Sequence, residues 1–186
     1  MASILKVDKI VDSGSNVLAT SSGSGYTGIP AAGITGTLGS GVTFPAGCII
    51  GIENNSSTTI VESTSTTFTS IISDSITVSA NSKVLIQVYI PVSSGGDSNP
   101  AGLQILQTGT ASATILSNTE VYDEHHASAG GFFAGNFMSG TLSAGTYTFD
   151  AQGNRRSGSG TVYWISANPG PSSASIATIT LMEIAG

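Results

Sequence analysis

The sequence predicts an all-β domain, a sandwich of the jelly-roll type at residues 42–186, preceded by an extended N-terminal arm at residues 1–41. Charged residues make up only 9% of the chain, against about 25% in an average globular domain. Its 24 Gly, 30 Ser and 22 Thr suit β structure with many short turns and leave few residues for exposed helices. From Val42 onward, short segments with the two-residue period of strands recur about every ten to fifteen residues.

The first 41 residues form the predicted arm. A stretch rich in Gly, Ser and Thr, from Thr20 to Gly41, cannot bury a core of its own. We therefore expect a flexible linker or an extended arm that becomes ordered against a partner. The apolar residues of this segment that we predict to attach the chain to such a partner are Ile4, Leu5, Val7, Ile10, Val11, Val17 and Leu18.

Eleven strand candidates follow the arm. They are Cys48–Glu53, Thr59–Glu62, Phe68–Ile72, Ser75–Val78, Lys83–Val92, Leu103–Gln107, Ala113–Ser117, Gly131–Met138, Thr146–Ala151, Thr161–Ser166 and Ile176–Ile184. Lys83–Val92 is the strongest, and Pro91 should end its ladder pairing. One face of this strand should carry Val84, Ile86, Val88 and Ile90, and the other face Leu85, Gln87 and Tyr89. The last candidate should be buried on both faces, because Ile179 and Leu181 lie on its second face. About ten short strands with Gly, Asn and Ser turns fit a sandwich or a jelly roll.

The nine residues Leu142–Asp150 predict a hairpin corner. Leu142 should close a strand or fill a core position, and Gly145 can adopt a positive φ in the tight turn that follows. Tyr147 and Phe149 then alternate with polar residues, as in a half-buried strand.

Four segments, taken in their order along the chain, resemble a known family. They are Lys83-Val-Leu-Ile-Gln-Val-Tyr-Ile, Leu142-Ser-Ala-Gly-Thr-Tyr-Thr-Phe, Gly160-Thr-Val-Tyr-Trp and Ala177-Thr-Ile-Thr-Leu-Met-Glu-Ile. This order resembles a jelly roll of the C1q/TNF type, in particular the C-terminal jelly rolls of phage virion proteins. The opening Met1-Ala-Ser-Ile-Leu-Lys-Val-Asp-Lys-Ile-Val-Asp, with Gly14-Ser-Asn-Val-Leu-Ala, resembles fibre-like structural proteins of marine tailed phages. The resemblance implies homotrimers, an N-terminus attached to the particle and no catalytic residues.

Charge and composition exclude several classes of protein. The net charge is −6 and the five cations form no basic stripe, so we expect no nucleic-acid partner. The single Cys48 excludes an intrachain disulfide. The sequence contains neither an apolar run long enough to span a membrane nor the apolar core of a secretion signal, so we expect no membrane insertion. The expected location is the virion, after synthesis in the host cytoplasm.

One dense polar cluster contains both histidines of the chain. Its residues Asp123, Glu124, His125 and His126 are of types that bind metals. In a strand, neither face would supply three ligands, although a trimer axis could bring together three copies of one histidine. Because Ala127-Ser-Ala-Gly-Gly follows directly, we interpret the cluster as a solvated loop and predict no metal and no cofactor.

Two basic residues, Arg155 and Arg156, lie at a predicted hairpin tip rich in Gly and Ser. They could pair with a carboxylate of a neighbouring subunit, contact an anionic glycan, or be loop charges without a role. Together with the polar cluster they are the possible binding or interface residues.

Aromatic residues are concentrated late in the chain, and five are candidates for a subunit interface. They are Phe132, Phe133, Phe137, Tyr163 and Trp164. Adjacent residues of a strand point to opposite faces, so one ring of each adjacent pair should lie outside the chain's own core. We predict that another subunit covers the outward rings.

The sequence contains neither a nucleophile elbow nor a phosphate-binding loop. We therefore expect a non-enzymatic structural protein of a phage particle, a homotrimeric fibre or surface decoration in contact with capsid or tail proteins. The alternative is a lectin-like module that binds a receptor or a carbohydrate, with a host-surface glycan as its partner.

Overall fold

The structure is a computed structural model that describes residues 9–11, 17–21, 26–27, 44–95, 100–122, 130–166 and 174–186. The chain divides into two compact units, residues 1–43 and 44–186. The described residues of the first unit form a three-stranded antiparallel sheet of β1 (Lys9–Val11), β2 (Val17–Ser21) and β3 (Tyr26–Thr27), with β2 in the middle. The assignment of residues 1–41 to an attachment arm stays a prediction.

The second unit is a sandwich of two antiparallel sheets. Its strands are β4 (Ile49–Ser57), β5 (Val61–Ser63), β6 (Thr69–Val78), β7 (Lys83–Ser94), β8 (Ala101–Gly109), β9 (Ala113–Tyr122), β10 (Gly130–Met138), β11 (Gly145–Arg155), β12 (Val162–Trp164) and β13 (Ala177–Ile184). The larger sheet has the order β4-β13-β7-β12-β5, with β10 along the other edge of β7, and the smaller sheet has the order β6-β11-β8-β9. The described residues contain no helix that could cross a membrane.

The pairing of the eight longer strands is that of a jelly roll. In chain order, the first pairs with the last (β4 with β13), the second with the seventh (β6 with β11), the third with the sixth (β7 with β10) and the fourth with the fifth (β8 with β9). This nested pairing wraps one long antiparallel ribbon into two facing sheets. The prediction of an all-β jelly-roll sandwich is confirmed.

The core lies between the two sheets and follows from the alternation along the strands. In β7, the residues Val84, Ile86, Val88, Ile90 and Val92 are all buried. From the other sheet, Tyr147 and Phe149 of β11 reach the same core, and Leu142 fills a position at its end. The half-buried strand predicted after the turn at residues 143–145 is therefore present.

Proline at position 91 does not end the ladder, contrary to the sequence prediction. Strand β7 continues to Ser94, and Pro91 pairs with Phe132 of β10. On the opposite edge of β7, β13 pairs as far as Tyr89 and β12 begins at Val92, so Pro91 lies in the gap between two partner strands. Its missing N–H costs no ladder hydrogen bond there, and its carbonyl accepts from the N–H of Ile165 at 2.7 Å.

Two predicted strands, Phe68–Ile72 and Ser75–Val78, are one strand. Strand β6 runs without interruption through Ser73 and Asp74, which pair with Asp150 and Phe149 of β11. A register shift opposite Ala151 and Gln152 absorbs one extra residue. The two predicted strands did not include this polar pair, and its pairing with β11 keeps the chain extended through both residues.

Candidate assembly interface

The outer face of the larger sheet follows from the alternation along β7. Ile86 and Val88 are buried in the core. Because side chains alternate along a strand, Leu85, Gln87 and Tyr89 point to the outside. Residues paired directly across antiparallel strands share a face, so the register of β4, β13, β7 and β10 defines rows across this surface.

Two adjacent rows differ sharply in polarity. The apolar row consists of Ile52, Met182, Leu85 and Met138. The polar row beside it consists of Asn54, Thr180, Gln87 and Asn136. The next row consists of Ser56, Thr178, Tyr89 and Ala134, after which Pro91 pairs with Phe132. None of these positions carries a charge, and we call this surface the apolar face.

Large apolar side chains of the apolar face are open to solvent. Ile52 exposes 61% of its surface, Met138 49% and Phe132 64%. The rings of Tyr89 and Phe132 contact each other in a tilted arrangement, with centroids 5.5 Å apart. Single exposed apolar residues are common on proteins, but several in neighbouring rows of one sheet face are typical of an interaction surface.

The polar row is internally hydrogen-bonded at one end only. Asn54 Nδ2 donates to Thr180 Oγ1 at 2.7 Å and to the carbonyl of Ile179 at 3.3 Å. The side-chain amides of Gln87 and Asn136 have no hydrogen-bond partner among the described residues. The β7–β10 half of the row therefore offers donors and acceptors that the described residues do not use.

The outer face of the smaller sheet, which we call the polar face, has the opposite character. Hydroxyl groups pair across β6 and β11, with 2.8 Å between the Oγ1 atoms of Thr77 and Thr146. The Ser75 Oγ and Thr148 Oγ1 atoms are also 2.8 Å apart. These cross-strand pairs satisfy each other within one chain.

Side chains around Asp150 extend this network. Its Oδ1 accepts from the hydroxyl of Ser70 at 2.6 Å, and its Oδ2 accepts from Gln152 Nε2 at 2.6 Å. Gln104 Nε2 donates in turn to Gln152 Oε1 at 2.7 Å. The part of the polar face formed by β6 and β11, together with Gln104 of β8, thus carries polar groups that are paired with one another.

The five aromatic candidates divide between the core and the surface. Phe132 is largely exposed, whereas Phe133 and Phe137 pack against the core and stack on each other with centroids 6.1 Å apart. Trp164 is fully buried and Tyr163 is half-buried. In both adjacent pairs, Phe132-Phe133 and Tyr163-Trp164, the second ring therefore points toward the core. Trp164 belongs to the chain's own core, whereas Phe133 and Phe137 are half-buried against it. The interface role of all five rings stays a prediction.

The arginine pair does not lie at the tip of a hairpin. Arg155 is the last residue of β11, which belongs to the smaller sheet, and the following strand β12 belongs to the larger sheet. The segment between them therefore crosses from one sheet to the other. The Arg155 guanidinium folds back and donates to the carbonyl of Gly160. Arg156 is exposed, and its N–H donates to the carbonyl of Pro100 at 2.8 Å. A binding role for either arginine stays a prediction.

The polar cluster Asp123, Glu124, His125 and His126 lies outside the described residues. Within the described ranges, no group of three or more His, Cys, Asp or Glu side chains could hold a metal ion. The interpretation of the cluster as a solvated loop is not tested by this observation.

The predicted attachment residues are only partly described. Ile10 and Val11 lie in β1, Val17 and Leu18 lie in β2, and Val11 pairs with Val17. The remaining three, Ile4, Leu5 and Val7, lie outside the described residues. The attachment role of all seven stays a prediction.

Sequence reasoning missed most of the apolar face. Ile52, Leu85, Met138 and Met182 were not among the interface candidates, although they form one continuous row. The available signal was the apolar residues Leu85, Tyr89 and Met182 at outward positions of β7 and β13, whose inward positions are apolar as well. A strand that is apolar on both faces in a two-layer sandwich needs a second covering layer.

Comparison with known proteins gives distant structural likenesses. No protein-family model matches the sequence, and no curated protein matches it. A structure of the Gx strain of infectious bursal disease virus matches with 10% identity and a TM-score of 0.41, covering 87% of this chain and 43% of that chain. The VP2 subviral particle of infectious bursal disease virus matches with 10% identity and a TM-score of 0.40, covering 82% and 42%. The chain spans less than half the length of either, and similarity at this level assigns neither a family nor a function.

Proposed function

We propose that the protein is a non-enzymatic structural protein of a phage particle, present as a homotrimeric fibre or surface decoration. Residues 1–41 anchor it to capsid or tail proteins, and the jelly roll projects from the particle. The observation that carries the proposal is the apolar face, which lies opposite a polar face whose groups are already paired. Such a two-sided domain gains free energy when one side is covered and the other remains in water.

The exposed side chains are of types whose burial stabilises an interface between proteins. Full burial of a side chain such as Ile52, Met138 or Phe132 contributes about 1.5–3 kcal/mol. Association costs about 4–15 kcal/mol in lost translational and rotational freedom, so each copy must bury several such residues. The apolar face offers several in neighbouring rows of one sheet, and the positions of these rows carry no charge.

The role in the particle is tested by locating the protein there. Mass spectrometry of purified particles should detect the chain, and antibody labelling in electron micrographs should place it on the capsid or the tail. Absence of the full-length chain from purified particles would contradict the proposal.

The attachment role of the first unit is tested by deleting residues 2–41. We expect a folded, self-associated β-domain that no longer joins the particle, because residues 44–186 contain the whole sandwich. If the truncated protein unfolds instead, the first unit is part of the domain's core and the two-part organisation is wrong.

A second candidate function is glycan binding by a lectin-like module. The observation that favours it is the exposed ring pair Tyr89 and Phe132 with the Gln87 amide on the same face, since aromatic rings pack on sugars and amides bond to hydroxyls. A glycan array with the wild type and Phe132→Ala tests it. Binding that is lost in the variant, by a protein that remains monomeric, would favour this function over assembly.

A further inference from the structure

We propose that Gln87 and Asn136 set the register in which copies of this chain pack against one another. The inference rests on the self-association proposed above and names the residues that make it specific. Gln87 of β7 and Asn136 of β10 are directly paired across the two strands, and both face outward. Side chains at such positions have Cβ atoms about 4.5–5.5 Å apart, so the two amides form one polar spot.

Apolar residues flank this polar spot on both sides. In the preceding row lie Leu85 and Met138, and in the following row lies Tyr89, which contacts the ring of Phe132. Burial of these flanking residues drives association but is non-directional, so it would tolerate several alignments of one copy on another. A polar spot within such a surface restricts the copies to alignments in which its groups find hydrogen-bond partners.

The constraint comes from the amides themselves. Each side-chain amide carries two N–H donors and a carbonyl acceptor, and within the described residues neither Gln87 nor Asn136 uses them. Once another copy covers the spot, water is excluded, and an alignment that leaves an amide unpaired is weakened by about tenfold or more. Only alignments that pair the amides keep their full affinity.

The rest of the polar row cannot impose the same constraint. Asn54 at the β4 end already donates to Thr180 and Ile179, so covering it leaves fewer groups without a partner. The half of the polar row on β7 and β10 therefore determines which alignments of two copies are stable.

A second copy of the chain is the partner that fits this spot. Amides are donors and acceptors at once, so they can pair with the uncharged donors and acceptors of a neighbouring copy. The chain has a net charge of −6, yet the rows of the apolar face carry none of it. No charge in these rows repels a second copy of the chain, and a strongly charged partner would find no complementary charge in them.

The test replaces both amides by leucine in the full chain, as Gln87→Leu with Asn136→Leu. Association should persist because the face becomes more apolar, but native mass spectrometry should show mixed stoichiometries where the wild type shows one. A spin label at Thr108→Cys, on the smaller sheet and in a Cys48→Ser background, should give one narrow inter-copy distance in the wild type and a broad distribution in the double variant. Gln104→Leu is the matched control on the polar face and should leave both readouts unchanged.

The outcomes separate this inference from the self-association on which it rests. A monomeric wild type would overturn both. A double variant with the wild-type stoichiometry and distance, or one that becomes monomeric, would overturn the register role alone. Should the double variant fail to fold, Gln87→Glu provides the test, because an isosteric charge buried between copies should weaken association by about a hundredfold or more. Unchanged association of Gln87→Glu would show that the spot is not covered and would overturn the inference.

Discussion

The two outer faces of the sandwich both arise from the alternation of side chains along the strands, but they differ in the residues that point outward. On the polar face, Thr77 pairs with Thr146 and Ser75 pairs with Thr148 within one chain. On the apolar face, Ile52 and its neighbours are exposed, and two amides lack partners among the described residues. A face whose polar groups are already paired gains little from a protein partner. A face with exposed apolar side chains and open amides gains by being covered, and the assembly that we propose therefore uses the apolar face.

The largest expected effect comes from the core beneath both faces. Trp164 is fully buried, its ring packs closely against Gly153 of the smaller sheet, and its Nε1–H donates to Ser63 Oγ at 3.1 Å. Trp164→Ala should therefore destabilise the fold by about 3–5 kcal/mol. Urea denaturation of the purified variant measures this. A loss below about 1 kcal/mol would mean that the two sheets do not share this core.

A charge on the apolar face should separate association from folding. In Met138→Asp, the fold should remain intact because Met138 points outward, whereas covering a new unpaired carboxylate costs about 2–5 kcal/mol of association free energy. Sedimentation equilibrium measures the change in association, and circular dichroism reports on the fold. Thr108→Asp, at an exposed position on the smaller sheet, is the matched control and should leave association unchanged. If both variants weakened association equally, the distinction between the two faces would be wrong.

A substitution on the polar face should change stability slightly and association not at all. Asp150→Ala removes the acceptor of the Ser70 and Gln152 hydrogen bonds, which is expected to cost about 1 kcal/mol of folding free energy. Chemical denaturation gives the stability and light scattering the number of copies. Dissociation of the variant would place a subunit contact on the face that we assign to solvent.

Local periodicity predicted much of this fold. Alternation along β7 predicted which of its residues are buried, and the turn before Tyr147 predicted where β11 begins. Other features depend on partners that are distant in the chain. The pairing of Pro91 is explained by the gap between β13 and β12, and the continuity of β6 by its pairing with β11.

The candidate interface was harder to predict than the core. Sequence alternation could show that Phe132 and Phe133 face opposite ways but not which ring faces the core. The row that joins Leu85 to Met138 and Met182 exists only through the register of three strands. Arg155 was assigned to a hairpin tip because nothing local shows that β11 and β12 belong to different sheets.

The central claim is that copies of the chain cover the apolar face, and the mass of the full-length protein in solution tests it most directly. Multi-angle light scattering on the eluting protein should give three times the 18.6 kDa mass of the chain. A single species with the mass of one chain, folded and soluble with its apolar face uncovered, would contradict the account.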